Sequence, residues 1–277
     1  MLSQMEVLRK YGIKPVKRRG QNFLIDGNMS RTIAEEIISI GKNVLELGAG
    51  AGAITIPLLS LGASVTAVEI DRHLCEILRS ESKEFSNFNL IEEDLAKLKW
   101  HDMIEIAGEM PVVAGNLPYV LTSEVLFALA ELRDKISGAH FMMQYEVAER
   151  MIASEGGKDF GVLAIILGSL FDVELVRPVP PSVFWPQPKV RSALVIMRRN
   201  NKLWDDGQLR QLRDVVRIIF TKRRKKISTI LKSSFGMDSD SACQLLESAG
   251  INKDLRPEQI SRELFWGLAE LLPSKEA

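Results

Sequence analysis

Apolar and polar positions follow two different periods along the chain, and the order of these segments predicts an α/β protein. Short apolar runs typical of buried strands are followed by segments whose apolar residues recur at helical spacing. Repeated strand–helix units favour a mostly parallel sheet. The expected strands are residues 43–47, 64–70, 88–91, 112–114, 139–144, 171–179 and 190–198, and the expected helices are residues 30–40, 53–61, 73–80, 123–132 and 145–152.

The pattern changes after the last of these helices. Residues 171–179 and 190–198 look like strands joined by a proline-dense connection, and a connection without a helix favours an antiparallel pair. Residues 200–207 are polar and are expected to form a linker, and the rest of the chain has helical periodicity. We therefore expect one domain over residues 1–200 and a small all-α domain over residues 203–277.

Composition indicates a globular protein without a membrane anchor. The chain has 277 residues, 46% of them hydrophobic, and no apolar stretch of membrane-spanning length. Its two cysteines, Cys75 and Cys243, lack metal-ligand spacing and fit a reducing cytoplasm better than a secreted location. Neither a signal peptide nor a metal site is expected.

The formal net charge is zero, yet basic residues are unevenly distributed. Residues 198–232 contain twelve Lys or Arg and three Asp. The densest part is flanked by apolar residues at helical spacing, which predicts a helix with a buried stripe and a cationic face. With a second basic segment near the N-terminus it would form a clamp for an RNA backbone, whereas the alternative is a solvated, lysine-rich helix. The expected RNA-binding residues are Arg18, Arg19, Lys222, Arg223, Arg224, Lys225 and Lys226.

A glycine-rich turn follows the first predicted strand of the sheet. Gly48 and Gly50 let the backbone approach a ligand closely, and the pattern is compatible with either a dinucleotide or S-adenosylmethionine. Glu69 closes the next strand, where an acid can accept hydrogen bonds from the two hydroxyls of a ribose. Asp94 closes the third strand, where it could accept from an adenine amino group.

The loop after the fourth predicted strand distinguishes these cofactors. Its sequence is Asn116-Leu117-Pro118-Tyr119, which combines an amide, a backbone carbonyl and an aromatic ring. These groups would hold a planar base by its amino nitrogen. A hydride-transfer enzyme would also need a proton donor, and the three histidines of the chain form no recognisable constellation. The loop therefore favours attack of an amino group on a sulfonium methyl, which needs alignment and desolvation more than a strong base.

Several motifs, taken in order, resemble the KsgA family of ribosomal RNA adenine dimethyltransferases, with the erythromycin-resistance adenine methylases as close cousins. The resemblance covers nearly the whole chain. It rests on the segments 19–24 (RGQNFL), 44–50 (VLELGAG), 67–71 (AVEID), 116–119 (NLPY), 144–150 (QYEVAER), 179–184 (VPPSVF) and 223–225 (RRK).

This resemblance implies a Rossmann-like class I methyltransferase with a mostly parallel seven-stranded sheet and S-adenosylmethionine as methyl donor. In the resemblance, Asn116 and the Leu117 carbonyl accept from N6 of the target adenosine, and Tyr119 and Phe184 stack on the flipped base. The implied catalytic residues are Asn116, Leu117, Pro118, Tyr119 and Phe184. The implied cofactor-binding residues are Asn22, Leu24, Gly48, Gly50, Glu69, Ile70, Asp94, Leu95 and Asn116.

The implied substrate is a pair of adjacent adenosines in the 3′-terminal hairpin of small-subunit ribosomal RNA. The helical tail with its segment 255–261 looks like the ribosome-maturation branch. We therefore expect the immature small subunit as partner and a cytoplasmic monomer. The alternatives are a large-subunit methyltransferase of the erythromycin-resistance type, a ribosome-assembly factor that has lost catalysis, and a dehydrogenase.

Overall fold

The chain folds around a seven-stranded sheet in a computed structural model that describes residues 3–16, 21–200 and 204–272. The strands are β1 (Phe23–Leu24), β2 (Asn43–Leu47), β3 (Ser64–Glu69), β4 (Phe88–Glu92), β5 (Val112–Asn116), β6 (Gly138–Gln144), β7 (Phe171–Val179), β8 (Phe184–Trp185) and β9 (Ser192–Arg199). The helices are α1 (Gln4–Lys10), α2 (Gly27–Ile38), α3 (Thr55–Ser60), α4 (Arg72–Glu81), α5 (Trp100–Ala107), α6 (Thr122–Glu131), α7 (Tyr145–Ile152), α8 (Val162–Leu170), α9 (Asp206–Phe220), α10 (Ile227–Phe235), α11 (Ser239–Ser248) and α12 (Arg262–Leu271).

The sheet confirms the predicted mostly parallel arrangement. Its strand order is β4-β3-β2-β5-β6-β9-β7, in which β2 to β6 run parallel and β9 pairs antiparallel with β6. The two strands flanking the proline-dense connection are neighbours, as predicted. Because parallel strands end at the same edge of a sheet, the loops after β2, β3 and β5 meet there.

The central strands are apolar because the sheet is covered on both faces. Val44 and Leu45 of β2 and Val112 and Val113 of β5 are completely buried. Such strands read as continuous apolar runs rather than as alternating patterns. This explains why the sequence located the strands correctly to within a few residues.

The chain divides into two compact units whose boundary differs from the predicted one. The first comprises Met1–Ala148 with Val173–Arg199, and the second comprises Glu149–Asp172 with Asn200–Ala277. The second unit thus includes α8, whose sequence is apolar on nearly every side. Within this unit Ser169 of α8 accepts a hydrogen bond from Trp266 Nε1 at 2.7 Å, and the Trp266 ring stacks on Trp204 at 3.5 Å. Because α8 is buried within the second unit, its sequence has no polar face that would mark the boundary between the two units.

Three described helices, α1, α5 and α8, were not expected from the sequence pattern. Helix α1 is short but closed by a capping box, in which Ser3 and Glu6 exchange hydrogen bonds. Helix α5 includes His101, which lies outside the helices expected from the sequence. Among the described helices, none combines the length and the apolar character needed to cross a membrane.

Candidate active site

The loops at the carboxyl edge of the sheet enclose one cavity in the first unit. Eleven of the predicted site residues line it. They are Asn22, Leu24, Gly48, Gly50, Glu69, Ile70, Leu95, Asn116, Leu117, Pro118 and Tyr119. Residues from the ends of four parallel strands and from β1 therefore converge, as expected for the ligand site of an open α/β sheet.

The glycine turn after β2 leaves room at the cavity wall. Gly48 and Gly50 have φ angles of +70° and +60°, which favour glycine. A Cβ atom on Gly48 would meet only Leu95 Cδ1 at 3.8 Å and the Asn116 carbonyl oxygen at 4.0 Å, and both residues line the same cavity. The turn at Gly48 and Gly50, which we call the glycine cradle, therefore lies directly beside the end of β5.

The Glu69 carboxylate fixes this turn from the end of β3. Its Oε2 atom accepts from Gly50 N at 2.8 Å, and its Oε1 atom accepts from the backbone N–H groups of Ile70 and Asp71, both at 2.9 Å. Burial raises the pKa of Glu69, and the three N–H donors oppose that rise. A carboxylate has about four acceptor sites, so after these three N–H donors the same group can still accept from a ribose hydroxyl.

The Asn116 side chain is oriented by the segment that precedes α2. Its Nδ2 atom donates to the Asn22 carbonyl at 3.0 Å. Asn22 therefore binds the amide nitrogen of Asn116 and not its amide oxygen. The Leu117 N–H donates to the Met142 carbonyl at 3.1 Å, which ties the loop to β6. The Tyr119 hydroxyl lies 3.1 Å from Ser192 Oγ, so the phenol ring is anchored at its far end. The loop is therefore held in place by the segment before α2, by β6 and by β9.

Phe184 is not among the residues that line the cavity, and its stacking role stays a prediction. Its ring is only 2% exposed and belongs to the hydrophobic core. Phe184 pairs with Leu24 in the short antiparallel ladder of β1 and β8, which holds the ring inside.

Asp94 also lies outside the residues that line the cavity, although its neighbour Leu95 lines it. The Asp94 carboxylate caps the 3₁₀ helix Leu95–Lys97 by accepting from Ala96 N at 3.0 Å. The capping role was not visible in the sequence, where the residue was assigned only to an adenine amino group.

The basic cluster does not lie in one helix, which corrects the sequence prediction. Helix α9 ends at Phe220 and α10 begins at Ile227, so the cluster forms the connection between them. The reason is that residues 221–226 contain no apolar side chain to continue the buried stripe, and the Ile227 N–H donates to the Leu255 carbonyl instead of extending α9. Arg18 and Arg19 lie outside the described residues.

The members of this cluster have different partners within the second unit. Arg223 donates to the Lys158 carbonyl at 2.7 Å, Lys222 donates to Ser233 Oγ at 3.0 Å, and Lys226 pairs with Asp254 at 2.9 Å. Arg224 and Lys225 are exposed and have no carboxylate within ion-pair distance in the described part of the chain. These two are the cations that a phosphate could approach.

Glu46 is a cavity residue that the sequence analysis missed. It lies in the middle of the apolar strand β2, is 2% exposed and accepts from Thr55 Oγ1 at 2.6 Å. Burial is the largest cause that raises the pKa of Glu46 to about 8, and the nearby Glu69 charge adds to it. A carboxyl group inside an otherwise apolar strand was the signal that could have identified it.

The buried Glu46 carboxyl predicts a pH dependence of stability. Its ordinary pKa is 4.5, and the folded value is about 8. Between these values the unfolded chain releases the proton and the folded chain keeps it, so stability falls as pH rises from about 5 to about 8. Glu46→Gln has no proton to release and should be more stable than the wild type at about pH 8, by several times the roughly 1.4 kcal/mol that corresponds to one pKa unit.

Urea unfolding across this pH range without added ligand measures the effect. The exposed Glu105→Gln variant on α5 removes one carboxyl elsewhere and should follow the wild-type pH profile. Parallel decline of Glu46→Gln and wild type would show that Glu46 is ionised in the folded state.

Comparison with known proteins identifies the family. The model of the family "Ribosomal RNA adenine dimethylase" matches residues 14–273. The chain belongs to this family. The resemblance found in the sequence motifs is therefore confirmed, and the members of the family are methyltransferases that use S-adenosylmethionine.

Individual relatives agree with this assignment. The chain is 39% identical to ribosomal RNA small subunit methyltransferase A of Prosthecochloris aestuarii over 84% of this chain and 87% of that protein. It is 34% identical to the protein of the same name from Lactobacillus helveticus over 97% of this chain and 95% of that protein. Among solved structures, the 23S rRNA methyltransferase ErmE is similar with a TM-score of 0.70 and 26% identity, over 91% of this chain and 99% of that chain. A dimethyladenosine transferase from Plasmodium falciparum shares the fold with a TM-score of 0.74 at 24% identity, over 86% of this chain and 93% of that chain.

The cavity fits the methyl donor of the family. The glycine cradle offers close backbone approach, Glu69 offers acceptors at the end of β3, and the Asn116 loop adjoins both. Within the described ranges, no group of three or more His, Cys, Asp or Glu could hold a metal ion.

Proposed function

We propose that this chain methylates N6 of two adjacent adenosines in the 3′-terminal hairpin of small-subunit ribosomal RNA. The observation that carries the proposal is that the Asn116 loop at the end of β5 shares one cavity with the glycine cradle at the end of β2. The relatives named small subunit methyltransferase A support the choice of small-subunit RNA.

S-adenosylmethionine supplies an electrophilic methyl group on a sulfonium sulfur when it is bound. We assign the Gly48 backbone to its methionine part and the Glu69 carboxylate to its ribose. Asp94 would use the carboxylate that caps the 3₁₀ helix to meet the adenine amino group. Asn22 and Leu24 also line the cavity.

The Asn116 loop would position the nucleophile. The amide oxygen of Asn116 and the carbonyl oxygen of Leu117 accept the two hydrogens of adenine N6, so its lone pair turns from the ring toward the methyl carbon. With the donor bound, N6 would take the methyl group from the sulfonium sulfur, which would be left as a neutral thioether, and the proton that N6 loses would pass to solvent. Alignment and exclusion of water supply the acceleration, and Tyr119 covers one face of the base. Pro118 stiffens the loop between these groups.

Arg224 and Lys225, the exposed cations of the α9–α10 connection that have no ion-pair partner among the described residues, are assigned to RNA phosphates. Arg224→Gln and Lys225→Gln should each weaken RNA binding and lower its salt dependence by about 0.7 to 0.9 in the slope of log affinity against log salt. The matched control is Arg210→Gln, an exposed arginine of α9 that lies about 15 Å along the helix from Phe220. Filter binding across a salt series measures both the RNA affinity and its salt dependence. Salt slopes equal to that of Arg210→Gln would show that Arg224 and Lys225 do not contact RNA phosphates.

We further propose that the chain acts as a monomer in the cytoplasm on the immature small ribosomal subunit. The similarity of its helical tail to the ribosome-maturation branch supports this. The two cysteines support a reducing compartment, since Cys75 is buried and both are free.

Labelled S-adenosylmethionine offered with unmethylated small and large subunits separately tests the function. The expected result is two methyl groups on each of two adjacent adenosines of the small subunit. Methylation of the large subunit instead would indicate the activity named for ErmE. Binding to the small subunit without methyl transfer would indicate an assembly factor that has lost catalysis.

A further inference from the structure

Arg191, which lies next to the active-site loop, has no role in the proposed methyl transfer or cofactor binding. Arg191 directly precedes β9, whose first residue Ser192 lies opposite Gln144 at the end of β6. Since β9 runs antiparallel to β6, Arg191 emerges at the same sheet edge as Asn116. Ser192 is also the residue that contacts the Tyr119 hydroxyl at 3.1 Å. Arg191 is therefore one residue away from the contact that anchors the active-site loop.

The neighbouring Tyr145 restrains the Arg191 side chain. The Arg191 carbonyl accepts a hydrogen bond from Tyr145 N at 3.0 Å. The guanidinium carbon lies 5.0 Å from the centre of the Tyr145 ring. Such a cation–π contact fixes the plane of the guanidinium and leaves its N–H edge available for other acceptors.

The positive charge of Arg191 is not compensated by an acid. Arg191 is exposed, and no carboxylate of the described residues lies within ion-pair distance of it or of the nearby Lys189. Other arginines of the same unit do have such partners, for example Arg79 with Glu92 and Arg177 with Glu36. An exposed, oriented and unpaired guanidinium at this edge suits a ligand with two acceptor oxygens, such as a phosphate.

We infer that Arg191 binds a backbone phosphate of the RNA next to the target adenosine. This rests on the proposed function, because the flipped base enters the cavity past Tyr119 and its own backbone must stay at the mouth. The contact would hold the backbone in place while the base is extruded. Arg191 is a substrate-positioning residue and takes no part in the methyl transfer.

Arg191→Gln removes the charge and keeps a similar stem, and Arg191→Lys keeps the charge. The matched control is Lys42→Gln: Lys42 is exposed and directly precedes β2, so it lies at the opposite edge of the sheet. For the purified full-length chain, we would measure equilibrium binding to the small-subunit hairpin RNA across a salt series. We would also measure the steady-state kcat and KM for RNA methylation and the affinity for S-adenosylhomocysteine of each variant.

The inference predicts that Arg191→Gln weakens RNA affinity roughly fivefold to tenfold and lowers the salt slope by about 0.7, as for one single-strand phosphate contact. The KM for RNA should rise by a similar factor, with kcat and S-adenosylhomocysteine affinity unchanged. Arg191→Lys should keep the wild-type slope, and Lys42→Gln should match the wild type.

Two results would overturn the inference. Equal RNA affinity and slope for Arg191→Gln and Lys42→Gln would show that Arg191 does not contact RNA. Weaker binding with an unchanged slope would show that Arg191 stacks on a base instead. Failure of the wild type to methylate small-subunit RNA would reject the proposed function, and the binding series would still decide on the phosphate contact.

Discussion

Asn116→Ala should lower the rate of methyl transfer by at least about 10²- to 10³-fold, the effect of removing one preorganised hydrogen-bonding group from an active site. The variant loses the amide oxygen that would accept from adenine N6, so the lone pair of this nitrogen is no longer turned toward the methyl carbon. Affinity for S-adenosylhomocysteine should stay largely intact, because the glycine cradle and Glu69 are unchanged. Single-turnover kinetics and calorimetry measure the two effects separately.

The matched control for this substitution is Asn89→Ala. Asn89 is exposed on β4, at the opposite end of the sheet order from β9 and β7. Its loss should leave methyl transfer unchanged. Wild-type turnover in Asn116→Ala would refute the role given to the amide oxygen, and equal losses in both variants would point to a general effect on the sheet.

Gly115→Ala should destabilise the protein by about 3 kcal/mol or more, the upper range for overpacking combined with backbone strain. Gly115 directly precedes Asn116 and has a φ angle of +155°. An added Cβ atom would lie well under 3.0 Å from the Leu47 carbonyl oxygen, so β5 would have to move away from β2. This movement would separate the Asn116 loop from the glycine cradle and abolish methyl transfer.

Gly27→Ala is the control for this prediction. Gly27 begins α2, and a Cβ atom there meets nothing within 4 Å. We expect this variant to be as stable as the wild type or slightly more stable. Urea unfolding of both variants measures the difference. Equal stability of Gly115→Ala and Gly27→Ala would mean that the close approach between β5 and β2 is not required.

The strands and the loops that carry chemistry could be predicted because both leave local signals. A buried parallel strand is a short apolar run, and the first polar or glycine residue after it marks the functional edge of the sheet. Glu69 and Asn116 are both found this way. Because parallel strands end at the same edge of a sheet, their pairing alone brings the loops that carry Glu69 and Asn116 together.

The features that local patterns did not reveal depend on contacts between residues that are distant in sequence. Phe184 is buried by pairing with Leu24, and a two-residue ladder has no detectable period. The turn before Ile227 depends on the Leu255 carbonyl, which local helical spacing does not reveal. The raised pKa of Glu46 depends on burial in the folded sheet and on the nearby Glu69. In each case a tertiary contact outweighs the local pattern.

In the proposed function, the methyl donor and the target adenine occupy one cavity, side by side, at the ends of β2 and β5. A crystal structure of the chain with S-adenosylhomocysteine and adenosine tests it most directly. We expect adenine N6 to lie within hydrogen-bonding distance of both the Asn116 amide oxygen and the Leu117 carbonyl oxygen, with the ring against Tyr119. An Asn116 amide that faces away from the donor sulfur, with adenosine bound elsewhere, would contradict it.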